Sequence, residues 1–131
     1  MYWCGSTTGG RSVRGAWKDH HRQRMVALAT KDRPIQVYQP SEGGAYYSVD
    51  ANTAEFHNLF DVHFIAVIQC TEPACREQKD FFKVTERESE DSSVASKFAL
   101  DLDGNAFSGR YYHPLKSGSV VFKATIFKEL A

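Results

Sequence analysis

The chain has 131 residues, 42% of them apolar and 24% charged. That suits one domain with a packed core and excludes global disorder. Sixteen basic and sixteen acidic side chains cancel. This argues against a nucleic-acid partner, which calls for a basic excess, but leaves room for a local basic pocket. No apolar run approaches the roughly 20 residues that span a bilayer. Met1 is followed at once by Tyr-Trp-Cys-Gly, without the pattern of a signal peptide.

In chain order, Tyr2 to Cys4 reads as a strand end running into a glycine-rich turn. Ala16 to Thr30 reads as a helix, with Trp17, Met25, Leu28 and Ala29 at helical spacing. Pro34 to Gln39 is a short strand. Ser41 to Asp50, "SEGGAYYSVD", reads as a loop before a short helix from Ala51 to Phe60. Val62 to Gln69 is the most apolar run and suits a strand buried on both faces. Glu72 to Phe82 reads as a helix, with Pro73 in its first turn. Residues 83–96 are polar and charged, and read as a solvated, mobile loop. Lys97 to Gly104 holds a strand, Phe107 to Gly118 a short helix, and Ser119 to Ala124 a last strand. Strands alternating with helices predict an α/β fold, a parallel sheet with flanking helices. The whole chain, 1–131, reads as one unit without internal repeats.

Two stretches carry chemistry. Gly5 to Ser12 spells G-x-x-x-x-G-R-S, a phosphate-gripping P-loop with Arg11 in place of lysine. A triphosphatase also needs an acidic magnesium holder at a later strand end, and none stands out. A plain surface turn is the bland alternative. The reading that uses the residues best has backbone N–H groups, the Ser6 and Thr8 hydroxyls and Arg11 facing an anionic ligand.

The second stretch is "KFALDLDGNAFSGR". A D-x-D-G at a strand end resembles the nucleophile motif of haloacid-dehalogenase-type phosphatases, with Asp101 attacking and Asp103 moving the proton. The further lysine and acidic pair of that chemistry have little chain left to occupy after Asn105. Asp101, Asp103 and Asn105 also match the first ligands of a calcium loop. Ala106 and Tyr112 stand where that loop needs glycine and glutamate. A third reading is a strand–turn–helix unit. Gly104, Ser108 and Gly109 admit a ligand to the backbone, and Arg110 supplies a forked cation for phosphate oxygens. Cys70 and Cys75 in "CTEPAC" are either a disulfide or two free thiols. The five histidines lack metal-ligand spacing and read as packing or surface residues.

Together "YWCGSTTGG", "IQC....C" and "KFALDLDGNAFSGRYYHPLKSGSVVFKATIFKE" resemble glycosyltransferase family 90, the fungal capsule-associated-protein-like enzymes related to protein O-glucosyltransferases. The resemblance runs from Trp3 to about Glu129. It implies the donor-binding portion of a GT-B enzyme with two Rossmann-like halves, inverting and without a metal cofactor. The donor would be UDP-xylose or UDP-glucose, and the acceptor a glycan or protein. By the same resemblance Ser6 and Arg11 touch the nucleotide-sugar, and Asn105, Ala106, Phe107, Ser108, Gly109 and Arg110 wrap its diphosphate and sugar. Arg110 offsets the charge of the leaving diphosphate.

The resemblance also implies the secretory lumen, a compartment in which Cys70 and Cys75 would bridge. A membrane anchor would lie in a segment outside these residues. Cys4 stands where the family carries arginine, and Pro114 interrupts the helix after S-G-R. The catalytic carboxylate is expected upstream, which makes the chain a partial enzyme or a non-catalytic remnant that binds a nucleotide-sugar or a partner.

Overall fold

In a computed structural model, residues 1–86, 95–106, 108 and 111–125 are described. The centre of the predicted charged loop, and Phe107, Gly109 and Arg110, lie outside them.

Four strands form an all-parallel sheet: β1 (Tyr2–Ser6), β4 (Asp61–Ala66), β5 (Phe98–Leu102) and β6 (Val120–Ala124), in the order β4-β1-β5-β6. Helices α1 (His21–Thr30), α2 (Ala74–Phe81) and α3 (Tyr112–Lys116) occupy the connections. The mixed α/β architecture expected from the alternation of elements is present. β2 (Pro34–Pro40) and β3 (Tyr46–Asn52) stand apart as an antiparallel hairpin inserted between α1 and β4.

The hairpin corrects the expectation of a loop over Ser41 to Asp50. Gly44, at φ 78°, turns the chain, and Ser41 N–H donates to the Ala45 carbonyl at 2.7 Å. Tyr46 to Asn52 then pairs residue for residue with Pro34 to Pro40. A glycine pair flanked by β-branched and aromatic residues is a hairpin signal. Pro34 to Gln39 is therefore a hairpin strand, outside the parallel sheet.

The helix expected from Ala16 to Thr30 is also divided. A 3₁₀ turn covers Ala16–Asp19, His20 is extended (ψ 142°), and α1 starts at His21. Its buried face is Arg22, Gln23, Val26 and Ala29, whereas Leu28 is exposed. Of the predicted stripe within α1, Ala29 is buried and Met25 partly so, and the buried face begins instead with polar side chains. Arg22 donates to backbone carbonyls and the Thr8 hydroxyl at the top of the sheet, and Gln23 to the Thr7 carbonyl and to Gln78 Oε1 of α2.

The core joins Trp3, Val62, Phe64 and Leu102 from the sheet to Val26 and Ala29 of α1, with Trp17, Ala74 and Phe82 around them. Phe64 and Phe82 meet edge to face at 4.9 Å between ring centroids, and Trp3 and Phe64 do so at 5.7 Å. Such pairs add about 1 kcal/mol each beyond the area they bury. β4 stops at Ala66, short of the predicted Gln69. There the Thr7 hydroxyl donates to the Ile68 carbonyl and accepts its N–H, both at 2.8 Å. A side chain thus takes over the ladder where the backbone leaves it. The short 3₁₀ helix Thr53–Leu59, within the predicted Ala51 to Phe60, opens with a capping box between Asn52 and Glu55.

Candidate functional site

The strand order places a reversal between β1 and β5. From β1 the chain crosses to β4 on one side; from β5 it crosses to β6 on the other. The connections leave a crevice at the carboxyl ends of these two strands, where open α/β sheets take their ligands. Both chemistry-bearing stretches of the sequence start there.

Arg22 joins them. Its Nη1 donates to the Ser6 carbonyl (3.0 Å) and the Thr8 hydroxyl (2.6 Å) on the β1 side. Nη2 donates to the Leu102 carbonyl (2.8 Å) and Nε to that of Asp103 (2.9 Å) on the β5 side. The guanidinium also lies over the Trp3 ring, 5.5 Å from its centroid. Arg22 is 5% exposed. The Asn105 side chain adds a direct contact between the loops, its Oδ1 accepting Gly9 N–H at 3.2 Å. Gly104 permits the approach: a Cβ there would stand 2.8 Å from Thr8 Oγ1 and 3.0 Å from Arg22 Nη2. Gly10, at φ 143°, has the His20 ring directly beneath it.

The β5 loop is shaped by Asp103. Its Oδ1 accepts Ser108 N–H at 3.2 Å, and its Oδ2 accepts the Thr125 hydroxyl. Gly104 N–H closes onto the Ala106 carbonyl at 3.1 Å. Asp101 pairs across the strands with Lys123, Oδ2 to Nζ at 2.8 Å, its register partner on β6. Asp101, Asp103 and Asn105 therefore each spend a side-chain oxygen on a protein donor. That is an arrangement of a braced turn, with Asp101 in a buried ion pair away from the crevice lining. Among the described residues no group of three or more His, Cys, Asp or Glu side chains is placed to share a metal ion.

The crevice opens into a cleft of about 390 Å³ lined by Gly10, Arg11, Gln69, Cys70 and Asn105. Of the predicted residues, Arg11 and Asn105 line it. Ser6 lies a step below, with its carbonyl on Arg22. Ala106 and Ser108 belong to the braced turn, and Phe107, Gly109 and Arg110 lie outside the described residues. Cys4 sits in β1 opposite His63, and its Sγ accepts from the Tyr2 hydroxyl at 3.2 Å.

Sequence reading missed the third wall, the connection from β4 to α2. Ser12 bridges to Cys70, Ser12 N–H donates to the Gln69 carbonyl at 2.8 Å, and Thr71 N–H donates back to Ser12 at 3.2 Å. Cys70 is disulfide-bonded to Cys75 at the start of α2. From α2, Glu77 Oε2 accepts Trp17 Nε1–H (3.0 Å) and Gly15 N–H (3.3 Å), holding the far end of the β1 loop. Arg22 was missed too, although its i, i+4, i+7 spacing with Val26 and Ala29 marked it as an inward-facing cation.

Compared with protein-family models, curated proteins and solved structures, the chain matches none.

Proposed function

We propose that this cleft binds the nucleoside-diphosphate part of a UDP-sugar, UDP-xylose or UDP-glucose, as the donor-binding portion of a GT-B-type glycosyltransferase acting on a glycan or protein acceptor. The observation that carries the reading is the Arg22 clasp. It brings the β1 and β5 loops, which bear the family 90 resemblance, to one crevice at the strand reversal. The chemistry of the lining agrees with a phosphorylated ligand. The exposed Arg11 guanidinium offers a forked cation, Gly10 gives access to backbone, and Asn105 commits its oxygen to Gly9, leaving its amide N–H groups for a ligand. Arg110 remains a candidate from the sequence. The Cys70–Cys75 disulfide suits an oxidising compartment such as the secretory lumen. By the resemblance, the donor is expected to bind without a metal.

A second reading, a module that binds the nucleotide-sugar without transferring it, is favoured by the same lining. A guanidinium and two carboxamides bind and orient, but none is suited to take a proton from an acceptor hydroxyl. In the enzyme reading the base comes from the acceptor-side half.

Calorimetric titration with UDP tests the proposal. Saturable binding that persists in a chelator is expected, and Arg11→Ala should weaken it by about 1.5–3 kcal/mol, as for a charge-assisted hydrogen bond. An Arg11→Ala affinity equal to wild type would overturn the assignment. Transfer of sugar from UDP-glucose to an acceptor, assayed with an added acceptor-side half that supplies the base, separates the two readings: the binding module supports none.

A further inference from the structure

We infer that Gln69 selects the neutral, hydrogen-bonding part of the ligand, the imide edge of the uracil ring. This rests on the reading of the cleft as a UDP site. Gln69 has φ 58°, and among the described residues it alone combines a positive φ with a side chain. Glycine adopts that conformation without steric penalty, and glutamine does not. The backbone is held there from both sides. Ile68 is fixed by the Thr7 hydroxyl, the Gln69 carbonyl by Ser12 N–H, and Cys70 by its bridge to Ser12 and its disulfide.

The fold therefore asks for glycine at this position and carries an exposed carboxamide instead, on the wall of the cleft. Strain of this kind concentrates where a side chain serves a ligand. A carboxamide sets an N–H donor beside a C=O acceptor in one plane. The imide edge of uracil carries the complementary pair, an N–H beside a carbonyl. A sugar hydroxyl turns to donate or accept and would not require a carboxamide. Arg11, on the β1 loop, holds the anion, while Gln69 reaches the cleft from the β4 connection.

The test compares wild type with Gln69→Gly, using UDP and inorganic pyrophosphate as separate probes. Gln69→Gly should raise Tm by roughly 2–4 °C as the backbone relaxes, which confirms an intact fold. It should weaken UDP about tenfold, and leave pyrophosphate within about twofold of wild type. Unchanged UDP affinity, or equal losses for both probes, would overturn the role given to Gln69. Wild type binding neither probe would instead remove the UDP reading and this inference with it. Wild type binding pyrophosphate as tightly as UDP would keep the anion grip and overturn the base contact.

Discussion

The crevice end of the sheet and the β2–β3 hairpin are built on opposite plans. At the crevice, single side chains reach across long stretches of chain: Arg22 to Leu102 and Asp103, Asn105 to Gly9, Glu77 to Trp17. The hairpin is held by its own ladder and a glycine turn, and it exposes Tyr38, Tyr46 and Tyr47 to solvent. The difference shows where precise geometry comes from. Long-range ties through a buried cation fix two loops relative to each other. A local ladder fixes only itself.

Substitutions can break or sharpen that contrast. Arg22→Met should cost most, about 3 kcal/mol or more in urea-induced unfolding, because it strands three backbone carbonyls and a hydroxyl. It should abolish UDP binding as well. A small loss would mean that water replaces the clasp and that the loops hold themselves. Gly104→Ala should cost about 1–3 kcal/mol, since the new methyl enters the Thr8–Arg22 contact, and should weaken UDP in the same titration. Full stability with full binding would show that the loops have slack.

On the hairpin, Gly44→Ala has open space around it and only its φ of 78° against it. The expected loss is about 1 kcal/mol by thermal unfolding, with UDP affinity unchanged. Altered affinity would tie the hairpin to the cleft and end the contrast. Tyr38→Ser, at a side chain 74% exposed, should change stability by less than about 0.5 kcal/mol. A larger effect would reveal packing of that ring beyond the hairpin's own ladder.

Much of the fold was legible one element at a time. The apolar run at Val62 marked β4, though as an edge strand with alternating burial and not as one buried on both faces; "KFALDLDG" marked β5, and alternation of elements marked the parallel sheet. These signals are local: burial period, turn residues and length. The hairpin was not legible, because a glycine pair suits a loop as well as a tight turn, and only pairing with Pro34–Pro40 makes a strand of the residues after it. Half of the site was legible for the same local reason, since glycine-rich turns after strands announce themselves. Arg11 and Asn105 were found that way. Arg22 and Gln69 were not. An arginine in a helix counts as polar surface until something shows that carbonyls wait beneath it. A left-handed glutamine has no signature in a linear pattern.

Composition, turn chemistry and hydrophobic period were enough to determine an α/β chain with two glycine-bearing turns after strands and a cysteine pair set close together. Only the tertiary structure decided that those turns share one crevice, that Asp101 pairs with Lys123 while Asp103 braces the β5 loop, and that the cysteine pair, bridged, holds a third wall. The physical reason lies in reach. Propensity and periodicity act over a few neighbouring residues, whereas the Arg22 clasp joins groups about eighty residues apart that only the strand order β4-β1-β5-β6 brings together.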